Sequence, residues 1–180
     1  MRVAIGGYST TKFSLEQTPI EKLLVSATKR VFENTKNLSQ KDIDAVLVST
    51  NNNKKYLAPI LSELTGISPK ISHSIENMCN SGANAIVSGF SYIASGMADV
   101  VLIAGAEQAE NSAQVLDWDI SRGEFTHPTF WGTMFTKAHK REFGTTDEEL
   151  AYVSTLNHKN AKDNPNAYNP KNYTLDDVMN

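Results

Sequence analysis

The chain has 180 residues, enough for one compact domain with a sizeable core and a substantial excursion. Its net charge of −3 argues against a broad nucleic-acid footprint, though a local basic patch for an anionic ligand stays open. A single cysteine excludes an internal disulfide and a cysteine-based zinc cluster within the chain.

Residues 2–6 are a short apolar run ending at Gly6-Gly7 and predict an N-terminal strand. Thr18 reads as the cap of a first helix, with Pro19 in its first position. Ile20, Leu23, Leu24, Ala27 and Val31 carry helical spacing through Phe32. Ser39 and Asp42 read as a second cap before a turn. Residues 44–49 predict a buried strand and the polar stretch 49–55 a loop at its carboxyl end. Residues 58–64 form a short helix stopped by Gly66. Ile71, His73 and Ile75 alternate as a strand, residues 81–96 are a helix rich in small residues, and residues 99–105 are the clearest strand. Alternating strands and helices predict an α/β fold, with a largely parallel sheet, helices on both faces and a site at the carboxyl ends of the strands.

The pattern changes after Ala109. Residues 111–136 are aromatic-rich without clear periodicity, helices are expected over 134–143 and 147–162, and the tail is polar and rich in Pro and Asn. Residues 1–112 therefore read as a core and 113–180 as an excursion from it.

Cys79 lies where a strand hands over to a helix. Unpaired N–H groups and the positive end of the helix dipole favour developing negative charge there, including an oxyanion on a thioester carbonyl. Ser81, Gly82, Ala83, Ala85, Ser88, Gly89, Ala94 and Gly96 are poor choices for an exposed helix and predict one enclosed and packed closely. Taken alone, a single cysteine is more often a small buried apolar group than a nucleophile.

The word Glu76-Asn77-Met78-Cys79-Asn80-Ser81-Gly82, followed by Ala85-Ile86 and by residues 96–107, GMADVVLIAGAE, resembles the thiolase superfamily. It is most similar to the sterol-carrier-protein type and the related archaeal acetoacetyl-CoA thiolases, because Glu-Asn stands just before Met78-Cys79. Residues 137–154, then Asn157-His158-Lys159-Asn160-Ala161 and Asn164-Pro165, resemble the loop domain of that branch. The resemblance implies a mainly parallel, five-stranded mixed sheet, a buried nucleophile helix and a loop-domain excursion. It implies Cys79 as the nucleophile that takes an acyl group from coenzyme A, with its own N–H as an oxyanion donor. A second acyl-CoA carbanion then attacks in a Claisen condensation, and the reverse reaction cleaves 3-ketoacyl-CoA. The thioester is substrate, and no further cofactor is expected. Members of the family are about twice this length, with a Gly-His-Pro histidine and a second cysteine in the other half. Neither is in this sequence, so an N-terminal half is expected, with a missing or separate C-terminal half and a homo-oligomer as partners.

The remaining candidates keep two readings each. Phe125, Phe130, Trp131 and Phe135 either line the acyl path or give the excursion its own small core, and His127 either borders the substrate path or has a surface or packing role. Lys137, Lys140 and Arg141 read as a solvated helix face, with contact to coenzyme A phosphates as the alternative. Glu107 reads as a buried polar anchor beyond the strongest strand. His73 is expected to pack in the sheet, and His139 and His158 to face solvent. No histidine spacing fits a metal site. Residues 1–13 have no secretory apolar core, and no apolar run approaches the roughly 20 residues of a membrane span, so a cytoplasmic location is the default. Two alternatives to a thiolase remain: a ketoacyl or hydroxymethylglutaryl-CoA synthase relative, and a non-catalytic acyl-CoA-binding subunit.

Overall fold

The computed structural model describes residues 2–51, 54–108, 121, 123–125 and 127–180. The chain divides into two compact units, Met1–Thr11 with Leu15–Ser112, and Lys12–Ser14 with Ala113–Asn180.

In the first unit the order is α1 (Ile20–Asn34), β1 (Ala45–Ser49), α2 (Leu57–Thr65), β2 (Ile71–Ile75), α3 (Ser81–Ala94) and β3 (Val101–Gly105). The sheet order is β2-β1-β3, and both pairings are parallel. Among the described residues the sheet thus has three strands, not five, and is parallel throughout, not mixed. Residues 2–6 are not a strand, and Ile5 is 86% exposed. An apolar run becomes a strand only where another strand takes its backbone bonds, and no described strand lies beside it.

Alternation along the strands assigns the two faces. Val46, Val48, Leu102 and Ala104 share a buried cluster with Ile20 and Leu24 of α1 and Leu57, Ala58 and Leu61 of α2. Val101 and Ile103 face the other way, onto α3. Helices therefore lie on both faces of the sheet, as the alternating pattern predicts. β1 sits between its neighbours and is buried along its whole length, which explains its unbroken apolar word.

Local chemistry sets the element ends. Ser39 and Asp42 form a reciprocal capping box over the 3-10 turn Gln40–Asp42. Gly66 closes α2 in the left-handed conformation, at φ 72°. Thr18 does not cap α1; Pro19 occupies the N-cap, without a side-chain cap hydrogen bond.

The amino edge of the sheet is tied by one residue. Asp44 Oδ1 accepts from Lys70 Nζ at 2.9 Å, and Oδ2 accepts from the N–H groups of Asp99 and Val100 at 2.9 and 3.2 Å. Its backbone carbonyl takes the N–H groups of Lys70 and Ile71. Asp44 therefore joins β1 to the entries of β2 and β3. The Lys70 ammonium, then the two N–H groups, hold its carboxyl down to about 2.

In the second unit, α4 (Thr129–Phe143), α5 (Asp147–Ala161) and α6 (Leu175–Met179) follow in order. α4 starts five residues before the helix expected at 134, because His127 and Pro128 already organise its first turn. Thr146 and Glu149 cap α5 reciprocally. Thr174 and Asp177 do the same for α6, so a short helix forms in a tail that reads as irregular. His158 does not face solvent freely; its ring meets Tyr173 edge-on at 4.5 Å.

Two outcomes follow for stability. The folded carboxyl of Asp44 lies below its ordinary value, so its contribution is full above about pH 4 and is lost as pH falls from there to about 2. Urea midpoints across that window are expected to fall less steeply for Asp44→Asn than for the wild type. Gly89→Leu is expected to destabilise the fold by about 1–3 kcal/mol in the same assay. A Cβ at Gly89 already meets Ile103 Cδ1 at 2.9 Å.

Candidate active site

The carboxyl edge of the sheet gathers the chemistry that the strand order predicts for it. Cys79 is exposed on the 3-10 turn Met78–Asn80, which joins β2 to α3. It is not enclosed, and neither is the helix behind it. Ser81, Ala85 and Gly89 are buried at four-residue spacing, while Ile86, Val87 and Phe90 on the outer side are 59%, 62% and 50% exposed. The small residues are explained by the inner face alone: Gly89 admits Ile103 and Val101 of the sheet against the helix backbone. A helix apolar all round is one that another layer covers. Among the described residues only its inner face has such a layer.

The turn is strained and braced. Met78 is left-handed at φ 48°, a conformation costing about 1–2 kcal/mol for a residue with a Cβ. The Ser81 hydroxyl, in a residue only 5% exposed, holds it from one side. Ser81 Oγ accepts from the Asn77 N–H at 2.8 Å and donates to the Met78 carbonyl at 2.7 Å. Glu76 holds it from the other, with Oε1 accepting from the Met78 N–H at 2.7 Å. The Asn80 N–H closes the turn onto the Asn77 carbonyl at 3.0 Å. Five residues of the word around Cys79, namely Glu76, Asn77, Met78, Asn80 and Ser81, thus take part in bracing the turn.

A second brace spans β1 and β3. The Thr50 hydroxyl donates to Glu107 Oε1 at 3.0 Å and lies 3.2 Å from the Ala106 carbonyl, and the Asn51 N–H also donates to Glu107 Oε1. Glu107 is an anchor, as its position suggests, but an exposed one; the buried partner is Thr50, 4% exposed. Gly105 makes the strands' approach possible there, since a Cβ would meet Ser49 Oγ at 2.6 Å. His73 packs in the sheet as expected, its Nε2 2.7 Å from the Tyr92 hydroxyl of α3.

The other sequence candidates belong to the second unit. His127 Nδ1 accepts from the Thr129 N–H at 3.2 Å and lies 2.8 Å from the Thr129 hydroxyl, so the ring caps α4 through Nδ1. Phe130 meets Phe125 edge-on at 5.0 Å, yet Phe125, Phe130 and Phe135 are 62%, 38% and 71% exposed. They do not form a small core among the described residues; Trp131 beside them is half-buried. Lys140 Nζ pairs with Asp147 Oδ1 at 2.6 Å, while Lys137 and Arg141 are exposed. Residues 109–120, in the aromatic-rich stretch and across the expected boundary at 112–113, lie outside the described residues. No group of three metal-ligating side chains occurs among the described residues, and no helix there is long and apolar enough to cross a membrane.

Sequence reading missed the roles of Ser81 and Thr50. Ser81 was legible only as a small packing residue, although a hydroxyl at the first position of a helix is a ready partner for nearby backbone groups.

A family model for the thiolase N-terminal domain matches residues 1–172. The chain belongs to the thiolase family. The thiolase relatives include an acetyl-CoA acetyltransferase of Methanothermobacter thermautotrophicus, 31% identical over 99% of this chain and 50% of its own length. Another, of Methanocaldococcus jannaschii, is 32% identical over 99% of this chain and 48% of its own length. Rabbit (Oryctolagus cuniculus) sterol carrier protein 2 is 33% identical over 64% of this chain and 24% of its own length. The chain thus spans about half the length of the archaeal relatives. Both branches named by the sequence resemblance are represented.

The brace at Glu107 is open to a direct test. In a double-mutant cycle, Thr50→Val and Glu107→Ala are expected to couple by about 1 kcal/mol, because each removes one end of the same charge-assisted bond. Additive effects on the urea midpoint would show that the two residues act separately.

Proposed function

We propose that this chain is the nucleophile-bearing N-terminal half of a thiolase-like acyltransferase. The observation that carries the reading is Cys79, an exposed thiol on a braced, strained turn between a parallel strand and α3, within a chain of the thiolase family. Its sulfur attacks the carbonyl carbon of an acyl-CoA, negative charge builds on the carbonyl oxygen, and the bond to the coenzyme A sulfur breaks. The products are an acyl-cysteine and free coenzyme A, which carries away the thiol proton. The carbanion of a second acyl-CoA attacks the acyl-cysteine in a Claisen condensation, and the reverse sequence cleaves 3-ketoacyl-CoA.

The archaeal relatives carry the name acetyl-CoA acetyltransferase, which supports an acetyl group as the first donor. His127, Phe130 and Trp131 are proposed to border the acyl-CoA path, with the thioester as substrate and no added cofactor. A second half is proposed as partner, supplying the base that activates Cys79 and covering the outer face of α3. The whole assembles as a homo-oligomer in the cytoplasm in this reading. The sterol-carrier and lipid-transfer names of other relatives support a second one, a subunit that binds acyl-CoA without turning it over.

Mass spectrometry separates the two. With acetyl-CoA, and with a C-terminal thiolase half present, the wild type is expected to gain one acetyl group per chain and Cys79→Ala none. An acetyl group retained by Cys79→Ala would disprove the assignment. Acetyl-CoA affinity without any adduct would favour the binding subunit.

A further inference from the structure

We propose that Ser81 is a positioning residue that aims the Cys79 N–H at the carbonyl oxygen under attack. The proposal rests on Cys79 as nucleophile and adds a residue that neither the sequence motif nor the comparisons assign.

The argument is geometric. The Met78–Cys79 peptide is planar and trans, so its C=O and N–H point in opposite directions. The Ser81 hydroxyl donates to that C=O at 2.7 Å from beneath the turn. Together with the Ser81 backbone N–H, which donates to the same carbonyl, it fixes the plane and turns the Cys79 N–H away from the helix, on the side opposite Ser81. That N–H lies in the first turn of a 3-10 segment, where no helical acceptor exists for it. Ser81 Oγ also accepts from the Asn77 N–H at 2.8 Å, so one buried hydroxyl grips the chain on both sides of Met78. Glu76 holds the preceding peptide, Asn77–Met78, through its N–H. With both planes fixed, Met78 is kept at φ 48°, a conformation it would otherwise leave. A donor held in place before charge develops is worth far more than one that must reorient.

Two reactions of the same sulfur test this. Acyl transfer from S-phenyl thioacetate builds negative charge on a carbonyl oxygen and needs no coenzyme A site. Alkylation by iodoacetamide displaces iodide at a saturated carbon and develops no such charge. In Ser81→Ala the Cys79 N–H and the Ser81 backbone bond to the Met78 carbonyl both remain, so acyl transfer to Cys79 is expected to fall by about 10-fold, short of the loss of about 100-fold on removing an oxyanion donor outright, with alkylation little changed. Ser81→Thr keeps the hydroxyl and is expected to restore acyl transfer. Equal losses in both reactions, or none in either, would overturn the proposal while leaving Cys79 as nucleophile. A wild type that alkylates at Cys79 but accepts no acyl group would instead remove the nucleophile itself, and the proposal with it. A further measurement needs no variant: the Asn77 amide is expected to be protected in hydrogen exchange, and unprotected exchange there would overturn the grip.

Discussion

The close seat of α3 on the sheet is the constraint from which the rest follows. It depends on a stripe of small residues, Ser81, Ala85 and Gly89, spaced so that all three face the strands. Ile103 fills the space that a side chain at Gly89 would occupy. This brings the first turn of the helix down to the level of the strand ends. The connection from β2 must then be short and sharply bent, and the left-handed Met78 is where the bend is made. Helix packing and backbone strain at Cys79 are therefore one problem, solved at the two ends of one stripe.

The two edges of the sheet are held by different means. At the amino edge an ammonium and four backbone N–H groups converge on Asp44. At the carboxyl edge two hydroxyls, Ser81 beneath the turn and Thr50 beneath Glu107, share the holding with two carboxylates, Glu76 and Glu107. Both carboxylates are engaged, Glu76 by the Met78 N–H and Glu107 by Thr50 and Asn51.

Much of this architecture was legible because it depends on local pattern. The apolar word of β1, the alternation of β2 and the glycine after α2 all specify elements without tertiary information, as does the capping box at Ser39. What depends on distant partners was not legible. Residues 2–6 have a strand's composition, but a strand is a relation between two segments. α3 is apolar on both sides, which sequence reads as burial, yet only one side has a neighbour among the described residues. At the candidate site the cysteine stood out by its position, whereas Ser81 was hidden by its size. A residue chosen to be small and one chosen for its hydroxyl look alike until the turn above it is seen.

The left-handed backbone at Met78 also limits what position 78 can tolerate. Glycine reaches φ 48° freely, asparagine nearly so, and an unbranched side chain at moderate cost. Valine, isoleucine and threonine carry a second heavy branch on Cβ and are disfavoured there whatever their polarity. Substitution at this position is thus filtered first by shape at Cβ and only afterwards by what the side chain touches. The residue beside the sulfur is constrained first by its backbone.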